Sequence, residues 1–114
     1  MKRSILINNI IIFIFLGCIL NLSVMVFNDC KMPIYYSVGE IIPQNIPDYY
    51  LPFNDFNEVH NPLISDIFTI PYIIKFSIGD LLIFGGTILL IVITIQKIII
   101  NNNKEVKVKW HYYQ

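Results

Sequence analysis

Two carboxylates stand where chemistry would want them. Asp66 falls in "SDIFTIPY" and Asp80 in "FSIGDLLIFGG", at the lip of a long apolar run. A carboxylate at the edge of oil is held there at a cost, and is a natural ligand for an ion, a proton or a substrate. The pair has no basic partner and no His at a fitting spacing, so no acid–base or metal set is completed. Asp55, Glu58 and His60 in "NDFNEVHN" have the residue types of a metal site, but their spacing matches no strong ligand pattern and they read as solvated loop. His111 has no partner, and the chain shows no phosphate loop, nucleophile elbow or zinc knuckle. No catalytic residue, cofactor or metal is indicated. Asp66 and Asp80 remain as candidate functional carboxylates.

Asp80 also has a structural reading. "SIGD" has the spacing of a capping box, with Ser77 at the N-cap and Asp80 at the third helical position. Such an Asp faces the positive end of the helix dipole, typically worth about 0.3–1 kcal/mol. At the centre of a spanning helix it would cost about 2.5–3.5 kcal/mol. Ser77 and Asp80 therefore start a helix and fix its depth, whether or not the carboxylate has a further role.

The elements that position these residues follow from hydropathy. The chain has 114 residues, 55% of them hydrophobic and 14% charged, too oily for an ordinary soluble domain. Two apolar segments, 5–27 and 78–100, are each long enough to cross a hydrocarbon core of about 30 Å, which takes about 20 helical residues. In lipid the backbone must satisfy its own hydrogen bonds, so both read as helices. Between them, residues 28–77 contain all six prolines and most of the tyrosines, a pattern of extended and turn segments. The best short helix is "NPLISDIFT", with Asn61 as N-cap and Pro62 at the first helical position; it is too short to span and suits the interface. Tyr35, Tyr36, Tyr49, Tyr50 and Tyr72 suit the same boundary.

Charge gives the orientation. Lys2 and Arg3 precede the first span, and Lys97, Lys104, Lys107 and Lys109 accompany the end of the second against one Glu105. The loop has two basic residues, Lys31 and Lys75, against six acidic ones. The positive-inside rule then predicts a cytoplasmic N-terminus at 1–4, a cytoplasmic basic tail at 101–114 and an extracytoplasmic loop. The tail's lysines, with Trp110, Tyr112 and Tyr113, suit an anionic lipid surface or solvent. Formal net charge is zero, which gives no argument for nucleic-acid binding.

Small and polar residues inside the spans point to a helix contact. Gly17 and Asn21 lie at a similar depth to Gly85 and Gly86 when counted inward from the outer ends. Small residues let backbones approach, and a buried Asn gains an interhelical hydrogen bond of about 0.6 kcal/mol. Cys18 and Cys30 are roughly 18 Å apart along a helix, too far for an internal disulfide. "FLGC" at 15–18 has the look of a lipoprotein box with Cys18 as the anchor, although the apolar run continues well beyond it.

"LNLSVMVFNDCKMP" (20–33), "SDIFTIPY" (65–72) and "FSIGDLLIFGGTILLI" (76–91) together resemble the C-terminal half of a bacterial membrane family, domain of unknown function 5317. The resemblance rests on Asn21, Asn28, Met32, Pro33, Asp66, Pro71, Phe76, Ser77, Gly79 and Asp80. It implies a multi-pass membrane fold and no known reaction. Further hydrophobic helices precede this half in the family. The chain departs at Asp29–Cys30, where a small, Gly-like turn is usual.

The sequence thus predicts an all-α membrane protein: an antiparallel two-helix hairpin with a Pro- and Tyr-rich extracytoplasmic loop of about 50 residues containing a short interfacial helix. It is expected in a bacterial inner membrane, with lipid as its first partner and other membrane proteins or copies of itself as further ones. The leading role is accessory or structural and non-enzymatic. The alternative is a transport or catalytic subunit using Asp66 and Asp80 in an outward-facing pocket.

Overall fold

The computed structural model describes residues 2–71 and 74–114. Two helices, α1 (Arg3–Val26) and α2 (Ile78–Tyr112), carry a small folded cap between them. Both are long and apolar enough to cross a membrane. Their isoleucines are mediocre helix formers in water, but an apolar run of this length leaves the backbone no other way to pair its polar groups in lipid. α1 is unbroken through Cys18. α2 does not stop at Ile100: it continues through Asn101, Asn102 and Asn103 to Tyr112 with no Gly or Pro to interrupt it.

The helices run antiparallel with a fixed offset. Gly17 lies against Gly79, Leu82 and Ile83, while Gly86 lies against Ile10 and Ile14. Carried along the helices, the same offset brings Lys2 and Arg3 close to the level of Gln96 and Lys97. From Ser77 to Lys97 the rise is about 30 Å at 1.5 Å per residue, the thickness of a hydrocarbon core.

At the other end α1 turns sharply into the cap. Asp29 and Cys30 both take left-handed backbone conformations, with φ of 55° and 58°, and the Cys30 N–H donates back to the Met25 carbonyl at 2.9 Å. Strand β1 (Met32–Tyr35) then pairs in parallel with β2 (Tyr50–Phe53), Met32 opposite Tyr50 and Tyr35 opposite Phe53. The chain returns on the other side of β1 at Asp66, whose N–H donates to the Pro33 carbonyl at 3.0 Å and whose carbonyl accepts from the Tyr35 N–H at 2.9 Å. β3 (Phe68–Ile70) and β4 (Ile74–Phe76) form an antiparallel pair leading into α2. Phe53, buried in the cap, clusters with the half-buried Tyr35 and the exposed Phe56, with ring centroids 5.1–5.9 Å apart.

Two expectations are corrected here. The fold is not purely helical, because the cap holds two two-stranded sheets. The helix expected from Asn61 is only a 3-10 turn, Pro62–Ile64. Asn61 is left-handed at φ 53° and makes no side-chain cap bond, and Ser65 is already extended. The bridge from Asp66 to β1 and the β-formers of "IFTI" outweigh the local helix-start signal. Of the tyrosines assigned to the boundary, Tyr36 is buried in the cap, Tyr49 is exposed, and Tyr72 lies outside the described residues.

Candidate functional site

The base of the cap is held by a closed ring of side-chain hydrogen bonds. The Ser77 hydroxyl accepts from the Asp80 N–H at 3.1 Å, and the Ser77 N–H donates to Asp80 Oδ2 at 3.0 Å, a complete capping box. Asn21 on α1 joins both partners. Its Nδ2 donates to Asp80 Oδ1 at 2.8 Å, and its Oδ1 accepts from the Ser77 hydroxyl at 2.7 Å. Both oxygens of Asp80 are thus occupied, one by its own helix and one by the other. Bonds to an ionised carboxylate are about twice as strong as neutral ones.

Small residues make this approach possible. A Cβ on Gly17 would lie 2.6 Å from the Gly79 carbonyl oxygen, and one on Gly79 would lie 2.7 Å from that of Gly17 and would also collide with the Asn21 side chain. Gly17 and Asn21 therefore meet the first turn of α2, with Gly86 lower down against Ile10 and Ile14. Gly85 meets nothing within 4 Å. Equal counting from the helix ends groups Gly17 and Asn21 with Gly85 and Gly86. It misses that α1 rises more than a turn past the start of α2 to carry the cap.

Asp66 is the opposite case. Its backbone is engaged with β1, yet the residue is only 4% exposed and Oδ1 has no hydrogen-bond partner among the described residues. Burial pushes its carboxyl up to about 7, and the charge of Asp80 adds to the rise. Burial raises the Tyr50 phenol above its ordinary value, with the Asp66 charge the next cause and Asp80 a lesser one. Asp66, Asp80 and Tyr50 thus share one electrostatic neighbourhood. The only ion pair among the described residues lies elsewhere, between Lys75 and Glu40. Near neutral pH, Asp66 can hold or release a proton, or accept from a donor brought to it.

Asn28 was named in the sequence only through the resemblance, and its work is visible in the structure. Buried beyond the end of α1, its Nδ2 donates to the Val24 and His60 carbonyls at 2.7 and 2.9 Å, and its Oδ1 accepts from the His60 N–H at 2.9 Å. It clips the far side of the cap to the helix. Asp55 accepts from the Asn57 N–H at 2.9 Å and so caps the 3-10 turn Phe56–Glu58. The Glu40–Lys75 pair spans 35 positions and carries no local signal.

Comparisons with curated proteins and with solved structures found no match. The family of unknown function DUF5317 matches over residues 6–92, which takes in nearly all of α1, the whole cap and the first part of α2. Asn21, Asp66, Ser77 and Asp80 all lie within it, and the chain belongs to this family.

Proposed function

We propose that the chain is a two-span protein of a bacterial inner membrane, with both ends in the cytoplasm and the cap outside, and that its role is accessory or structural. The observation that carries this reading is the Asn21–Ser77–Asp80 ring, which uses every polar atom of the most conspicuous intramembrane carboxylate to hold two helices together. Lys2, Arg3 and Lys97 at one level, about 30 Å below Ser77, support the depth and the orientation. A membrane-impermeant thiol reagent applied to intact cells tests it. Cys30 is exposed beside the cap and is expected to label from outside; labelling only after the cells are opened would reverse the orientation and remove the external cap.

The second reading, a transport or catalytic subunit, draws its support from Asp66 Oδ1, a buried oxygen without a partner among the described residues. Two helices enclose no channel, so this reading requires self-association or a larger membrane partner. Asp66→Asn distinguishes the two. Loss of a cellular phenotype with normal abundance and insertion favours the functional carboxylate; an unchanged phenotype favours the structural role.

A further inference from the structure

We propose that the groove beside the Glu40–Lys75 ion pair binds the phosphoethanolamine headgroup of a membrane phospholipid. The proposal rests on the membrane reading above, and names a ligand that reading does not require. The groove has a volume of about 740 Å3, with Ile34, Tyr36, Tyr50 and Ile74 among its walls, and the Glu40–Lys75 ion pair, closed at 2.8 Å, forms part of its lining.

Its depth is right for a headgroup. Lys75 precedes the cap residue of α2 by two positions, at most about 7 Å of extended chain. Beyond a hydrocarbon core of about 30 Å, the headgroup layer is about 5–8 Å deep on each side. With Ser77 at the edge of the hydrocarbon core, the Lys75 backbone lies no more than about 7 Å from that edge, within reach of the phosphate layer.

Its chemistry is zwitterionic. Lys75 Nζ donates to Glu40 Oε1 at 2.8 Å and to the Thr69 hydroxyl at 3.3 Å, and lies 4.4 Å from the centre of the Tyr36 ring. Glu40 Oε2 accepts from the Ser37 N–H at 3.0 Å, which holds the acid in place on its loop. A ligand bearing phosphate and ammonium exchanges this one pair for two. The surrounding segment has two basic and six acidic residues, which disfavours a net anionic headgroup and favours a cationic end. A primary ammonium is preferred over a quaternary one because the acceptor on offer, the Glu40 carboxylate, needs hydrogen-bond donors. The rim is aliphatic and uncovered: Ile41 is 87% exposed and Ile74 54%. Apolar area left in water forgoes about 25 cal/mol per Å2, and the upper acyl chain of a lipid removes it from water.

The test reconstitutes the full chain into nanodiscs of phosphatidylethanolamine, phosphatidylcholine and phosphatidylglycerol in equal parts, then releases it in mild detergent and counts retained lipids by native mass spectrometry. Phosphatidylethanolamine should be enriched about tenfold over the other two, the equivalent of one charge-assisted hydrogen bond. Glu40→Gln should abolish the enrichment. The double variant Glu40→Lys with Lys75→Glu retains a pair of opposite charges, without the Ser37 bonds to Glu40, in the reverse order relative to the acyl chain, and should abolish it too. Equal retention of the three lipids, or unchanged selectivity in the reversed variant, overturns the proposal. A chain that fails to enter nanodiscs at all sinks the membrane reading and this one with it.

Discussion

Asn21 and Asp80 are 59 positions apart in the chain and 2.8 Å apart in space. That single bond joins the last third of α1 to the first turn of α2, and it closes a ring that also includes Ser77. Asn21→Leu removes two bonds and leaves Ser77 and Asp80 each short of a partner. Interhelical bonds of this kind average about 0.6 kcal/mol, and an unsatisfied buried group adds about 1–3 kcal/mol. A loss of roughly 1–3 kcal/mol is expected in unfolding measured in detergent micelles. An Asn21→Leu protein as stable as the original would mean that the ring does not hold the helices.

The glycines give a paired comparison. Gly17→Ala and Gly79→Ala force the helices apart, and overpacking of this kind costs about 1–3 kcal/mol. Gly79→Ala should be the worse, since its methyl meets the Asn21 side chain as well as backbone. Gly85→Ala, with open space around it, should be neutral or stabilising by up to about 1 kcal/mol through helix propensity. Thermal unfolding of the three variants side by side checks the order.

The offset behind that comparison shows where sequence reading stops. An apolar run of some 20 residues has one backbone solution in lipid, so both helices can be read directly. The start of α2 is also local, because Ser77 and Asp80 are three positions apart. Register between helices is not local. It depends on how far α1 rises before the Asp29–Cys30 turn, and that turn is seated by Asn28 on His60, 32 positions away. The strands are hidden for a similar reason: each has three or four residues, too few for alternation to show, and Pro33 and Pro52 within them read as breakers. The orphaned Asp66 oxygen exists only because Asp66 bridges Ile34, a pairing no spacing rule announces.

Asp66 makes stability depend on pH. Its carboxyl titrates at about 7 in the folded protein and near 3.9 when unfolded. Between those values the folded state keeps a proton that the unfolded chain has lost, so stability falls as pH rises from about 4 to about 7, by up to about 1.4 kcal/mol per pH unit. Below that window the slope from this group vanishes, and above it no further loss occurs. Asp66→Asn should flatten the profile and be the more stable protein at pH 8. Unfolding midpoints between pH 4 and 8 decide it: stability that rises across the window means that the carboxylate is ionised and satisfied.

The turn after α1 invites a gain. Asp29 and Cys30 both hold left-handed backbone, a conformation that costs an ordinary L-residue about 1–2 kcal/mol and glycine almost nothing. Cys30→Gly should stabilise by about 1 kcal/mol, and Asp29→Gly by less, because Asp tolerates this region better than most side chains. Denaturant titrations of the two variants check both. A destabilised Cys30→Gly protein would show that the thiol contributes packing there.

Because α2 is a single unbroken rod of 35 residues, the azimuth of its far end is set by its near end. Each residue advances the helix by 100° and 1.5 Å, so Trp110 faces a direction dictated by Ser77 and Asp80. One residue inserted among Asn101–Asn103 would swing Trp110, Tyr112 and the terminal lysines by about 100° while leaving the cap untouched. A torsional phase runs from the cap to the tail.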